Sequence, residues 1–129
     1  MNVDIAPTIL ELAGIAVPAD MQGKSFLPIL KNSKTEVRKN MYYHYYEKGE
    51  HAVSPHFGIS DGRYKLIRFY AGVEAWELYD LEKDKQEMQN VYGQKSYRSI
   101  QNRLLKLLTA EANKLEDTDA LKILATKLK

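Results

Sequence analysis

The stretch MYYHYYEKGEHAVSPHFG, residues 41–58, holds all three histidines of the chain, His44, His51 and His56, among Tyr42, Tyr43, Tyr45, Tyr46 and Phe57. Imidazole and phenol can move protons, and aromatic faces hold sugars and bases, so these residue types admit acid–base chemistry or ligand stacking. The spacing admits less. A zinc site needs three or four ligands braced by hydrogen bonds, and His44, His51 and His56 match no common ligand pattern. The acidic run DLEKDKQEM, residues 80–88, imitates a calcium loop in composition only. Lys85 stands where that turn requires glycine, and no glutamate closes the loop. It reads as a turn with a solvated charged face. The chain has no G-x-S-x-G, no phosphate-cradling glycine loop, no H-E-x-x-H and no cysteine. No catalytic residue and no metal ligand is therefore assigned within it.

The elements that carry the histidines read as strands. NMYYHYYE, HFGIS, RYKLIRFY and AWELYDL are aromatic or β-branched runs of strand length, separated by the turn-rich KGEHAVSP, DG and AGVE. An antiparallel meander over residues 40–81 is the simplest connection, and Asp61-Gly62 is its sharpest hairpin signal. On the first strand Tyr42, His44 and Tyr46 face one way and Met41, Tyr43 and Tyr45 the other, which assigns His44 and the tyrosines to packing. The alternating Tyr, Arg and Lys of GRYKLIRFY could stack bases, but solvent-facing Arg63, Lys65 and Arg68 account for it equally well. After Asn90 the hydrophobic period changes from two to 3.6. Tyr97, Ile100, Leu104, Leu107, Leu108 and Leu115 mark one face of a long helix over residues 96–115, with Ser96 as its cap. A second helical stretch, DALKILATKLK, follows a break at residues 117–119.

The N-terminal third is different. Asp4 can cap a helix over residues 5–13 that tolerates Pro7 in its first turn and stops at Gly14. Ile5, Ile9 and Leu12 form a stripe, and Ala6, Leu10 and Ala13 fill its flank, so the helix is apolar almost all round. Such a helix is normally buried between neighbours. A proline-rich loop follows, with one apolar turn at residues 26–30. The fold class is thus α+β: an antiparallel sheet of about four strands covered by a long C-terminal helix, with a short apolar N-terminal helix left over.

Composition removes several function classes. The 129 residues are 44% hydrophobic and 28% charged, an ordinary globular balance. A net charge of +2, with lysines and acids interspersed, gives no reason to expect nucleic acid. No apolar run is long enough to span a bilayer, and no signal-peptide pattern opens the chain.

Several motifs carry a resemblance. VDIAPTILELAGIAVPADMQGKSFLPIL resembles the segment that closes the large catalytic domain of the sulfatase family, where a DIAPT helix precedes a P-x-x-M-Q-G-x-S loop. GRYKLIRFY and WELYDLEKD followed by EMQN resemble the family's small C-terminal subdomain. HFGISDGRYKLIRFY is most similar to the glucosamine-6-sulfatase-like, bacterial glycan-degrading branch. Together, in family order, they cover nearly the whole chain; one departure is Lys85, where the family commonly has proline.

The resemblance divides the chain into residues 1–36, the tail end of the catalytic domain, and residues 37–129, the C-terminal subdomain. It implies a hydrolase of sulfate esters on a sugar, to which this part contributes the shape of the substrate cleft while being inactive alone. The family's calcium ion and its formylglycine, made in a C/S-x-P-x-R motif, lie upstream of the DIAPT helix, so neither cofactor is expected here. His56 and His51 are implied as substrate-side residues that recognise rather than catalyse, with loop bracing as the alternative. The implied partners are a sulfated carbohydrate and the catalytic domain of the same polypeptide, in the periplasm or outside the cell. Exposed Ile5, Ile9, Leu10 and Leu12 would also favour a homodimer through the first helix. The competing reading is a free-standing binding or interaction module built on the tyrosine-rich sheet.

Overall fold

The computed structural model describes residues 1–49 and 52–126, which form two compact units, 1–39 and 40–129. In the first unit a 3-10 turn, Asn2–Asp4, leads into α1 (Ile5–Leu12), and α2 (Leu27–Lys31) follows a loop. Gly14 ends α1 with φ of 71°, and the Ile15 amide reaches back to the Leu10 carbonyl at 2.9 Å, a left-handed stop that glycine adopts without a Cβ penalty. Asp4 occupies the cap position of α1, but its carboxylate makes no cap hydrogen bond. It is spent on the loop instead: it accepts from the Lys24 amide at 2.8 Å and from Arg38 and the Met1 amino group. The Thr8 hydroxyl donates to the Asp4 carbonyl at 2.6 Å and accepts from the Phe26 amide at 3.0 Å. These polar ties bury Asp4, Pro7 and Thr8 and leave Ile5, Ile9 and Leu12 exposed.

The second unit holds a four-stranded antiparallel meander, β1 (Met41–Tyr45), β2 (His56–Ser60), β3 (Tyr64–Phe69) and β4 (Ala75–Asp80), in that spatial order. The expected Asp61-Gly62 turn is there, with φ of 90° at Gly62, and the Asp61 carboxylate accepts from the Arg63 and Tyr64 amides. Register pairs Tyr42 with Ile59, Ile59 with Leu66 and Leu66 with Leu78, which sets these residues on one face. Phe57, Ile59, Leu66 and Leu78 on this face meet Leu104, Leu108 and Ala112 of α3 (Arg98–Lys114) and Ala120 of α4 (Thr118–Ala125) in one core. Ser96 is not the cap of α3. It lies in a 3-10 turn, Lys95–Tyr97, and Tyr97 takes the cap position without a side-chain hydrogen bond.

Arg68 departs from expectation, and Asn90 takes a role that the pattern did not suggest. Arg68 shares the core-side face and is 4% exposed, its guanidinium bonded to the Phe69 carbonyl and Glu74 and set over the Trp76 ring. Register explains this, because positions 65 and 68 lie on opposite faces of one strand. Asn90, from the EMQN motif, closes the free edge of β4: its amide accepts from the Leu78 N–H and donates to the Trp76 carbonyl, at 3.0 Å each. With the Val91 amide on the Leu78 carbonyl at 2.9 Å, the strand edge is blunted by one side chain and one backbone contact.

Candidate functional site

His56 opens β2 on the sheet face away from α3. Register places it between Tyr45 and Phe69, and their rings lie 5.5 and 5.0 Å from its own, with Tyr43 edge-on at 5.6 Å. Tyr43 can lie across the sheet because residue 58 is glycine; a Cβ there would come within 2.8 Å of the Tyr43 hydroxyl oxygen and 2.7 Å of the Leu66 carbonyl. His56 Nδ1 is 2.9 Å from the Ser54 carbonyl. A carbonyl only accepts, so Nδ1 carries the proton and Nε2 of the neutral ring is left as an acceptor. Beside it, the β1–β2 and β3–β4 loops wall a groove of about 260 Å³, with Lys48, Ser54, Pro55 and Gly72 in its lining. His56 itself is not in that lining, which among the described residues holds no aromatic side chain; its ring can meet a hydroxyl donor among the rings of Tyr45 and Phe69 next to the groove. His51, the other implied substrate-side residue, lies outside the described residues.

His44 faces the core side, as its assignment to packing requires, but in a network that sequence reasoning missed. Its Nδ1 is 2.6 Å from Asp117 Oδ2 and its Nε2 is 2.6 Å from the Tyr70 hydroxyl, with the His44 and Asp117 side chains 3% and 7% exposed. The Tyr42 and Tyr46 hydroxyls donate to the same Asp117 oxygen, and Tyr46 stacks on His44 at 3.7 Å. Asp117 Oδ1 accepts from the Ala120 amide at 3.0 Å, capping α4. Burial alone would raise the Asp117 carboxyl, but the Ala120 amide, His44 and Tyr42 outweigh it and hold it below the usual carboxylate range. Asp, His and Tyr stand here in relay order, yet burial and the charges of Asp117 and Asp119 push the Tyr70 phenol up. A phenol held protonated is a poor nucleophile, and the network reads as architecture. The available signal was Asp117-Thr-Asp ahead of an apolar run, a helix-cap pattern.

Among the described residues no three His, Cys, Asp or Glu side chains stand where they could hold a metal ion. With no cysteine in the sequence and no S-x-P-x-R, these residues do not fit the family's calcium or formylglycine, and no step is derived through either.

Comparison with known proteins matches residues 1–114 to the family described as N-sulphoglucosamine sulphohydrolase, C-terminal. The chain is 44% identical over 123 residues to an N-acetylglucosamine-6-O-sulfatase of Bacteroides thetaiotaomicron, covering 92% of this chain and 22% of that protein. It is 31% identical over 134 residues to an ulvan-active sulfatase of Formosa agariphila, covering 80% of this chain and 26% of the relative. Among solved structures, one described as in complex with its substrate D-glucosamine-2-N,6-O-disulfate superposes with a TM-score of 0.87 at 46% identity, over 92% of this chain and 25% of that one. The chain thus spans about a quarter of the length of the proteins it matches. The order of its motifs, its four-stranded meander under a long helix and these matches give one conclusion: the chain belongs to the sulfatase family, as its C-terminal subdomain.

Proposed function

We propose that this subdomain serves an enzyme that hydrolyses a sulfate ester on a sugar, and that it shapes the sugar side of the cleft without supplying the reacting groups. The observation that carries the reading is the His56 ring, whose Nδ1 is tied to the Ser54 carbonyl and whose Nε2 has no partner among the described residues, so that the neutral ring offers an acceptor there. Sulfate oxygens accept hydrogen bonds and do not donate them, so neutral His56 Nε2 meets a sugar hydroxyl rather than the sulfate. Tyr45 and Phe69 give that hydroxyl an aromatic surround, and His51 lies on the same loop in sequence. The glucosamine-type relatives support a sulfated amino sugar, while the ulvan-active relative supports other sulfated glycans as candidates. The catalytic domain of the same polypeptide is the partner, with calcium and formylglycine belonging to it, and the working compartment is the periplasm or the cell exterior. The 129-residue chain alone pairs with a second copy through the apolar face of α1. A free-standing interaction module finds no support in matches of this kind.

The test is a nuclear magnetic resonance titration of the 129-residue chain with glucosamine-6-sulfate. The His56 ring and Tyr45 shift first, inorganic sulfate leaves them unmoved, and His56→Ala abolishes the response. The chain releases no sulfate from aryl sulfates or sulfated sugars, with or without calcium. A response to inorganic sulfate equal to that of the sugar, or sulfate release lost in His56→Ala, would overturn the assignment.

A further inference from the structure

The proposed function rests on His56 and leaves the Asp117 network without a role, although that network reaches both loops that form the groove next to His56. Tyr46 is the first residue after β1 and opens the β1–β2 loop; its hydroxyl lies 3.2 Å from Asp117 Oδ2. Tyr70 is the first residue after β3 and opens the β3–β4 loop; its hydroxyl is on His44 Nε2, and its amide donates to the Pro55 carbonyl at 2.9 Å. Ala71, next in the chain, holds a left-handed φ of 58°, so the second loop begins from a constrained backbone. One carboxylate oxygen thus collects Tyr42, His44 and Tyr46, and through His44 it also fixes Tyr70. Hydrogen bonds to a charged acceptor are the strong ones, most of all at the buried His44–Asp117 pair; Tyr46 is 58% exposed and makes the weaker of the two loop ties. Asp117 lies beyond residues 1–114, so the pattern that defines the family does not account for it.

We propose that Asp117 is a positioning residue for the groove: it fixes, through Tyr46 and through His44 and Tyr70, the roots of the two loops that flank His56. The inference rests on the proposed function for its biological use, since a sugar bound at His56 would meet a groove of set width; the positioning itself needs no ligand. Its Oδ1 serves α4 while its Oδ2 serves the loops, so the two duties can be separated. Asp117→Asn keeps a good helix cap at Oδ1 but turns an –NH₂ group, a donor, toward three donors. Tyr46→Phe removes one loop contact and leaves α4 untouched.

Limited trypsin digestion of the 129-residue chain reads both duties at once. Lys48 is the one lysine or arginine between Asn40 and Arg63 and reports the β1–β2 loop, whereas Lys122 sits within α4. Cleavage after Lys48 is expected to rise at least about tenfold in Asp117→Asn, the change expected when such a cluster loses its acceptor, and several-fold in Tyr46→Phe. Cleavage after Lys122 is expected to stay unchanged in Tyr46→Phe. The ¹⁵N shifts of His44 supply a signature that bare scaffolding would not move: a single tautomer protonated at Nδ1 in the wild type, and a mixture in Asp117→Asn. Unchanged cleavage after Lys48 in both variants, or faster cleavage after Lys122 alone, overturns the inference. A wild-type His56 that ignores the sugar counts against the proposed function and leaves the Lys48 result standing.

Discussion

In residues 1–39 the side chains withdrawn from water include Asp4, Pro7 and Thr8, while Ile5, Ile9 and Leu12 of the same helix stay 50%, 59% and 63% exposed. In residues 40–126 the order is the usual one: Phe57, Ile59, Leu66, Leu78, Leu104 and Leu108 are each fully buried, and the polar groups beneath the surface are paired with few exceptions. The two regions are built from equally ordinary elements, and they differ in what holds them. The second is held by apolar area removed from water. The first is held by a carboxylate and a hydroxyl that satisfy backbone amides of a loop, contacts worth about 0.5–3 kcal/mol each, while side chains worth about 1.5–3 kcal/mol apiece when buried go unused. An inverted helix of this kind has its hydrophobic contribution still to make, which fits a segment that closes a larger domain.

The sharpest way to break the contrast is to remove apolar bulk from each side. Phe57→Ala should cost about 3–5 kcal/mol in urea unfolding of the chain, whereas Leu12→Ala should stay within about 0.5 kcal/mol. Equal losses at concentrations too low for two copies to pair would mean that Leu12 packs within its own chain. Gly58→Ala comes next, at about 1–3 kcal/mol, because the added methyl would need the Leu66 carbonyl or the Tyr43 ring to move. That variant should also displace Tyr43, seen as a change in its ring resonances.

Acid is a weaker probe that acts on both regions. Burial would raise the Asp4 carboxyl, but the Lys24 amide, the Met1 amino group and Arg38 hold it below its ordinary 3.8, and Asp117 is likewise lowered. A carboxyl whose folded pKa lies below its unfolded one stabilises fully above the unfolded value and loses that contribution as pH falls through the folded value. Stability should therefore be flat on the acid side down to about pH 4 and fall below it. Asp4→Asn should flatten that fall for the first unit alone, and Asp117→Asn for the second alone. Parallel flattening by either variant would show that the two regions unfold as one.

Much of this was legible before any coordinates. Period-two patterning between DG and AGVE set β3, and the leucine spacing set α3, because each element buries one face against the other and the pattern records that face. What escaped was polar. Asp4 and Ser96 stand at cap positions by sequence, but a carboxylate serves whichever donors the tertiary fold brings nearest, and the Lys24 amide and Arg38 are distant in sequence. Arg68 is a different case: the same alternation that sets Lys65 on the outer face sets Arg68 on the core side, and charge alone does not override that. Asp117 joins residues 73 and 75 positions away, a separation that no local pattern encodes. His56 could be singled out from sequence only through the family resemblance, and its protonation pattern only through Ser54.

The smallest effect on folding should accompany the largest effect on association. Ile5, Ile9 and Leu12 recur at helical spacing on α1, and each is at least half exposed, so a charge placed among them meets water rather than core. Within the monomer, at concentrations too low for pairing, Leu12→Lys should move the unfolding free energy by no more than about 0.5 kcal/mol. In the chain alone, however, two copies can cover each other's stripe, and burying several such side chains outweighs the loss of free tumbling only if the faces fit over an extended area. Light scattering over a concentration series should then give a dimer for the wild type and a monomer for Leu12→Lys. A wild type that stays monomeric at every concentration would overturn the pairing proposed for this stripe. A dimer that survives the lysine would move the contact to another surface, and the contrast between the two regions would lose its consequence.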